Sequence, residues 1–548
     1  MGLREARARM TNEQQPAAAP RPAGAWSAFR YPLFRSLWIA TVVSNIGSWM
    51  YEAAAGWLMT SLSPSPLLVS LVQVANSLPL FLLALPAGAL ADMIDKRRFI
   101  VALEILTTAA SALFALLVTL HLAGPALLLL FMFLVASLGA LETPAWQAIV
   151  PQLVPEAALG PAIASNSIGI NISRVLGPAL AGVLILARGI AAPFWLDAFS
   201  NLGVIAVLLA WRGSARPAHP LPPEHFSGAM RAGVRYARNN RALRATLARA
   251  VGFFLFASAY WALLPLVTRT QLGGGPTLYG VLLGAIGAGA VGGAFALPRL
   301  KAGAGADRMV LIGELISAAA LLAFALAHSA AVAVLASLLA GVGWIVVLAT
   351  LNVSAQMALP EWVRGRGLAA YVAVFFGTMS AGSVLWGALA ERTGLAGALA
   401  AAAGGALLAA FATRRWQLRA SPQGDLTPSM HWPAPVLAAT VSDDAGPVMV
   451  TIEYHVDPGE RTAFLAALAA VGHERRRDGA YDWGIFEDTA HPGRMLETFF
   501  LDSWLEHMRQ HTRVTRADAR AEDALGRFTR GKPQVTHYLA AYPQHRAP

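Results

Sequence analysis

The sequence predicts an all-α membrane bundle of twelve transmembrane helices in two six-helix halves, followed by a small cytoplasmic α+β domain. Three observations carry this. Hydrophobic residues make up 56% of the 548-residue chain and charged residues only 13%, about half the usual share of a soluble domain. Mean hydropathy is +0.52. Apolar runs of about 20 residues, the thickness of a bilayer's hydrocarbon, recur in series from residue 34 to about 412.

The element order follows from the breaks. Residues 1–34 are polar and rich in Ala, Pro and Arg, with no short apolar core and cleavage site, which reads as a disordered cytoplasmic tail. Spans are expected at 36–60, 67–90, 99–121, 126–149, 163–187 and 193–211, forming a first half over 35–211. A central cytoplasmic loop, 212–246, carries Arg231, Arg235, Arg238 and Arg241 at helical spacing. It reads as a solvated connector or as a basic helix lying on anionic headgroups. The second half, 247–415, holds spans at 247–268, 278–298, 309–328, 331–353, 367–390 and 395–412. One such run could be a buried core helix, but no globular core hides twelve. Ser63-Pro64-Ser65-Pro66 and Gly273-Gly274-Gly275-Pro276 are the turn signals between spans.

Charge orients the bundle. Residues 1–420 carry 29 Lys and Arg against 14 Asp and Glu, whereas the remainder carries 13 against 17. Placed on the expected spans, 25 of the basic residues fall on one side and three (Arg188, Arg269, Arg392) on the other, with Arg174 inside a span. Basic loops face the cytoplasm, so both termini are expected there. Basic residues that flank spans point to the lipid bilayer as partner and away from nucleic acid.

After a linker at 416–447 the texture changes, and 448–542 reads β-α-β-β-α-β. Strands are expected at 448–456, 483–487, 495–501 and 534–540, with helices over 463–471, 503–513 and 517–528.

Several residues carry candidate chemistry. Ionisable side chains inside spans are costly and are functional by default. Glu52, Glu142 and Arg174 are therefore the candidate lining of a substrate and proton cavity, with Asn45 and Trp146 beside them, and Arg174 is expected to pair with Glu142. Asp197, at the start of span six, is the alternative proton site, and Glu104 and Glu314 lie nearer the cytoplasmic interface. A static ion pair or helix-packing role is the structural alternative for each. Aromatic residues with few amides, Trp49, Trp261 and Trp344 among them, suit a bulky, partly apolar solute. The chain has three lysines, none in a Gly-Lys-Ser/Thr phosphate loop, and no cysteine, which excludes thiolate metal sites and a nucleotide-driven pump of that type. No cofactor and no catalytic group is expected. In the tail, His507 and His511 stand one helical turn apart with no third ligand evident, so no metal is assigned.

Gly88-Ala-Leu-Ala-Asp92-Met-Ile-Asp95-Lys96-Arg97-Arg98 closes span two. It resembles the loop 2–3 signature of the major facilitator superfamily, departing at Asp95, where glycine is usual. The resemblance implies a gate in which Asp92 latches with Arg97 and Arg98, and Gly88 admits a close neighbouring helix. Arg174-Val-Leu-Gly177-Pro178 with Gly182, Pro144-Ala-Trp146, Arg364-Gly-Arg366-Gly and Gly387-Ala-Leu-Ala-Glu391 extend it over about 26–415. That set looks like the exporter branch containing enterobactin-type siderophore exporters and drug efflux proteins. It implies alternating access, with efflux of a small solute against entering protons. The tail resembles the dimeric ferredoxin-like antibiotic-biosynthesis monooxygenase family, which makes Trp483, His455 and Trp504 pocket candidates and self-association through the tail an expectation. An importer or uniporter, or a membrane-tethered enzyme acting through the tail, are the competing readings.

Overall fold

The computed structural model describes residues 26–211, 235–418, 425, 427–429, 431–432, 435, 437 and 440–541. Side chains at 85, 89, 91–93, 300–303 and 361 are outside the description. The expected tail up to residue 25, most of the central loop with Arg231, and most of the linker therefore lie outside the described residues, as does the side chain of Asp92.

Among the described residues eleven long helices precede the tail domain. They are α1 (Pro32–Leu62), α2 (Pro66–Met93), α3 (Lys96–Thr119), α4 (Pro125–Ile149), α5 (Glu156–Arg188) and α6 (Ala192–Ala210), then α7 (Arg241–Leu266), α8 (Pro276–Gly303), α9 (Ala306–Ala325), α10 (Ala330–Met357) and α11 (Arg364–Thr413). Five of these starts carry proline in the first turn, where its missing N–H costs nothing. Asp95 accepts from the Arg98 backbone N–H at 2.8 Å and caps α3, which gives the departure from the loop signature a structural use. Among the described residues ten helices are long and apolar enough to cross a bilayer. The first expected span forms α1, which is not one of the ten. The last two expected spans share α11, where Gly394 (φ 76°, ψ 167°) breaks helical geometry between them. Only glycine enters that region without strain.

The chain folds into two compact units. Among the described residues one contains 26–64, 86–211 and 268–287, and the other contains 65–85, 235–267, 288–418 and the tail. Each sequence half thus lends the start of its second helix to the other unit. In the first unit Gly182 and Gly280 let α5 meet α8: a Cβ on Gly182 would stand 2.6 Å from the Pro276 carbonyl oxygen, and one on Gly280 2.5 Å from that of Pro178. In the second, Ser77 of α2 bonds Ser380 of α11 at 2.7 Å. Small residues permit such backbone approach where lipid supplies no hydrophobic drive between helices.

The tail forms one antiparallel sheet, order β2-β3-β1-β4, from β1 (Val448–His455), β2 (Tyr481–Glu487), β3 (Arg494–Leu501) and β4 (Gln534–Leu539). Alternation puts Val448, Val450, Ile452 and Tyr454 on the core face, joined by Phe499 and Leu501. Phe464, Leu468 and Val471 of α12 (Arg461–Arg477) cover them. Two ten-residue helices, α13 (Trp504–Arg513) and α14 (Arg516–Leu525), link β3 to β4. The tail touches other parts of its unit. Arg477 lies over Tyr236 at 5.6 Å, and Arg513 over Trp362 at 4.7 Å. Arg235 lies beside Gly479. Of the basic loop residues, Arg235 therefore faces the tail domain rather than headgroups.

Candidate functional site

A buried polar cluster forms where α1, α3 and α6 meet. Asp197 of α6 is 1% exposed and accepts from Ser111 Oγ of α3 at 2.7 Å and Ser48 Oγ of α1 at 3.3 Å. One turn on, Asn201 Oδ1 accepts from Ser44 Oγ at 2.7 Å. Ser44, Gly47 and Ser48 share one face of α1, being three and four residues apart. Gly47 brings the helices together, since a Cβ there would lie 3.0 Å from Asp197 Cα. Hydroxyls around a carboxylate satisfy it without a countercharge, and an unsatisfied one would be far costlier.

The remaining ionisable groups pair differently from expectation. Glu142 of α4 shares a hydrogen bond with Glu104 of α3. Arg174 of α5 has Glu52 of α1 as its electrostatic partner and lies over the Trp49 ring at 5.3 Å. The Glu142–Arg174 pair expected from the sequence is thus replaced by two others. The cause is packing: α3 and α4 are antiparallel neighbours, while Gly177, whose Cβ would fall 2.4 Å from Trp49 Cβ, draws α5 onto α1. Two carboxyl groups can hydrogen-bond to each other only through a proton that one of them carries, because an ionised carboxylate can only accept. Tyr279 of α8 also lies within the field of Glu52 and stacks on Trp57 at 5.9 Å. Asn45 is half-buried on α1. Trp146 packs on the apolar cluster of Phe34, Leu37 and Ile149, a packing role.

The loop 2–3 residues divide. Arg97 donates to the carbonyl oxygens of Leu208 (2.6 Å) and Leu209 (2.9 Å), clamping the C-terminal end of α6, where carbonyls lack helical partners and a cation is favoured. Arg98 contributes its backbone N–H to the Asp95 cap. A Cβ on Gly88 would meet nothing within 4 Å among the described residues.

The second unit holds a site the sequence reading passed over. Arg249 of α7 is 1% exposed. It donates to Asp307 of α9 at 2.9 Å and to the Trp416 carbonyl at 3.3 Å, and stands 3.9 Å from Glu314. Asp307 also accepts from Leu418 N–H at 3.0 Å, tying the chain after α11 to α9. A signal was present: Arg98 and Arg308 each precede a glutamate by six residues, and Glu104 and Glu314 are each the ninth residue of α3 and α9. In the same unit Trp344 gathers Phe254 (5.4 Å), Trp261 (5.4 Å) and Phe375 (5.9 Å). Trp344 and Phe254 are buried, so part of the expected aromatic wall is core.

In the tail the three pocket candidates occupy separate surroundings. Trp483 donates to Glu497 at 2.8 Å, Trp504 packs on His507 and His537, and His455 is 61% exposed. Arg475, 5% exposed, ties Glu497 (3.5 Å) to Glu522 (2.7 Å) beneath Trp432. Burial first, and then His537 and His511, push His507 down to about 3, so it is uncharged at neutral pH.

The family model described as a transmembrane secretion effector matches residues 23–545, so the match runs on through the tail. A staphyloferrin A transporter of Staphylococcus aureus is 26% identical over 50% of this chain and 70% of its own length. The multidrug efflux pump Tap of Mycobacterium tuberculosis is 29% identical over 39% of this chain, which spans about half of Tap (53%). Macrolide efflux protein A of Streptococcus pyogenes is 24% identical over 44% of this chain and 60% of its own length. Among solved structures, a bacterial homologue of the human lysosomal transporter Spinster aligns over 71% of this chain and 94% of its own with TM-score 0.53 and 17% identity. The nucleoside transporter NupG aligns over 70% and 99% with TM-score 0.58 and 11% identity, which bears on fold alone.

Proposed function

The chain belongs to the transmembrane secretion effector family, and on that premise we propose that it exports a small, partly apolar solute by alternating access, coupled to proton entry. The family and the relatives above are transporters, not enzymes. Staphyloferrin A, multidrug and macrolide appear in the relatives' names, and these name the solute class proposed here. Twelve spans, two six-helix halves and cytoplasmic termini in a bacterial plasma membrane complete the reading. The Gly394 break and the one-sided placement of basic residues support it.

The observation that carries proton coupling is the hydrogen bond between Glu104 and Glu142. A carboxyl pair that holds one proton can release it when a helix moves and the partner withdraws. Glu52 with Arg174 is the second charged pair of the proposed cavity. Asp92, with Arg97 and Arg98, is the proposed gate, and Arg97 already fixes the end of α6. The tail is read as a ferredoxin-like domain that regulates or self-associates, on its β2-β3-β1-β4 order.

The test is efflux from everted vesicles with and without an imposed proton gradient. Glu104→Gln and Glu142→Gln each keep shape and hydrogen bonding but break the shared proton. Gradient-driven transport should be lost while solute exchange without a gradient persists. Full gradient-driven transport in the double variant moves the coupling to Glu52 or Asp197.

A further inference from the structure

The tail carries a cluster that neither transport nor gating uses. His507 and His511 are one turn apart on α13, and His537 enters from β4. His537 pairs with Val450 in the sheet register, so it points to the same face as the core residues of β1. One nitrogen of each ring lies within 4.8 Å of the others. The Nε2 atoms of His507 and His511 are 3.3 Å apart. The third member lies beyond the reach of sequence spacing, because β4 is brought to α13 only by the sheet order.

We propose that His507, His511 and His537 form a three-histidine site for a divalent late first-row transition ion of the zinc class. At Zn–N of about 2.0–2.1 Å, two ligands of a tetrahedral ion stand about 3.3 Å apart. The His507–His511 separation already has that value. The half-buried His537 closes the remaining gap by side-chain rotation.

His507 is 2% exposed. Without an ion, its Nε2 meets that of His511 nitrogen to nitrogen, so at most one N–H serves the pair, whereas a cation would take a lone pair from each. Trp504 packs on His507 at 5.2 Å and on His537 at 6.2 Å, and Trp432 on His511 at 5.2 Å, so aromatic walls fix the rings. Imidazole nitrogens without thiolate or a cluster of carboxylates select zinc, copper, nickel or iron over calcium and magnesium. Three protein ligands leave a fourth position for water or an added ligand.

The test uses the full chain, purified in detergent with a histidine-free tag and stripped by chelator. Zinc is titrated calorimetrically, and cobalt is added separately as a visible-light probe of coordination. One ion per chain is expected, with the strong visible bands of four- or five-coordinate cobalt. His511→Gln and His537→Gln should each weaken zinc binding by about tenfold or more. His431→Gln, whose ring contacts Glu522 at 2.9 Å, should leave it unchanged. His507→Gln is the most exposed to misfolding, so the two half-buried positions, checked by circular dichroism, carry the test. Zinc uptake that survives both variants, or no uptake by the folded wild type, overturns the site.

Discussion

Arg249 is the largest fully buried side chain of the described residues and holds three groups at once. Its guanidinium reaches Asp307 and the Trp416 carbonyl, and it is the cation nearest Glu314, both of whose oxygens otherwise find no donor among the described residues. Arg249→Ala would leave Glu314, 3% exposed, as an uncompensated buried acid. Removing one member of a buried pair costs about 3–5 kcal/mol, so the variant should express poorly and melt early in detergent. Arg249→Lys keeps charge but not the fork that spans carboxylate and carbonyl, and should fall between. Glu314→Gln in the Arg249→Ala background should recover part of the loss. Equal melting of the single and double variants would mean that Glu314 does not depend on Arg249.

Helices meet in this protein where a side chain is missing, which sets the cost of restoring one. A Cβ at Gly177 would fall 2.4 Å from Trp49 Cβ and 3.0 Å from the Ile46 carbonyl, and backbone cannot yield as a flexible side chain can. Gly177→Ala should therefore cost about 1–3 kcal/mol and shift Arg174 relative to Trp49 and Glu52. Gly88→Ala, with nothing in reach among the described residues, should be neutral in the melt. The tail offers a test in pH. Burial, and after it Asp518, raise Glu474 on α12 to about 8. An acid with a raised folded value binds its proton more tightly folded than unfolded. Its stabilisation is full below the unfolded value, about 4.5, and is lost as pH rises to about 8. The tail transition should weaken across that window and flatten in Glu474→Gln. A transition equally stable at both ends in wild type and variant would remove Glu474 from the account. The tail strands were legible at 448–456 and 495–501 because period-two alternation marks a sheet with one covered face. Membrane helices read short: the expected span at 163 begins at Glu156, since Glu156, Gly160 and Pro161 lower the hydropathy of a window without ending the helix. The charged residues were legible as costly, not in their pairing. Glu142 was matched to Arg174 on chain order, whereas helix azimuth turns Glu142 to α3 and Arg174 to α1.

At the scale of the whole molecule, the tail and the membrane helices share an aromatic and cationic seam. Tyr236, 1% exposed, bonds toward the Ala358 carbonyl at 3.4 Å with Asn240 beside it at 2.9 Å, and Arg477 lies above its ring. Arg513 lies over Trp362, held from behind by Glu506 at 2.8 Å. Arg477 is likewise held by Asp478 at 2.8 Å and Asp518 at 2.6 Å, so both arginines are anchored inside the tail and offer their faces outward, the arrangement of a docked domain rather than a free appendage. A chain ended after Arg419 would uncover Tyr236 and Trp362 together. If transport resides in the helices, that shortened chain should still export solute down the same gradient, with a lower melting temperature and greater protease sensitivity between α10 and α11. Arg477→Ala with Arg513→Ala in the full chain should copy the protease sensitivity while leaving the tail sheet intact. Should the truncation abolish export in correctly inserted, folded protein while the double arginine variant transports normally, the tail would be part of the transport machinery itself, and the division of labour between the two parts would have to be redrawn.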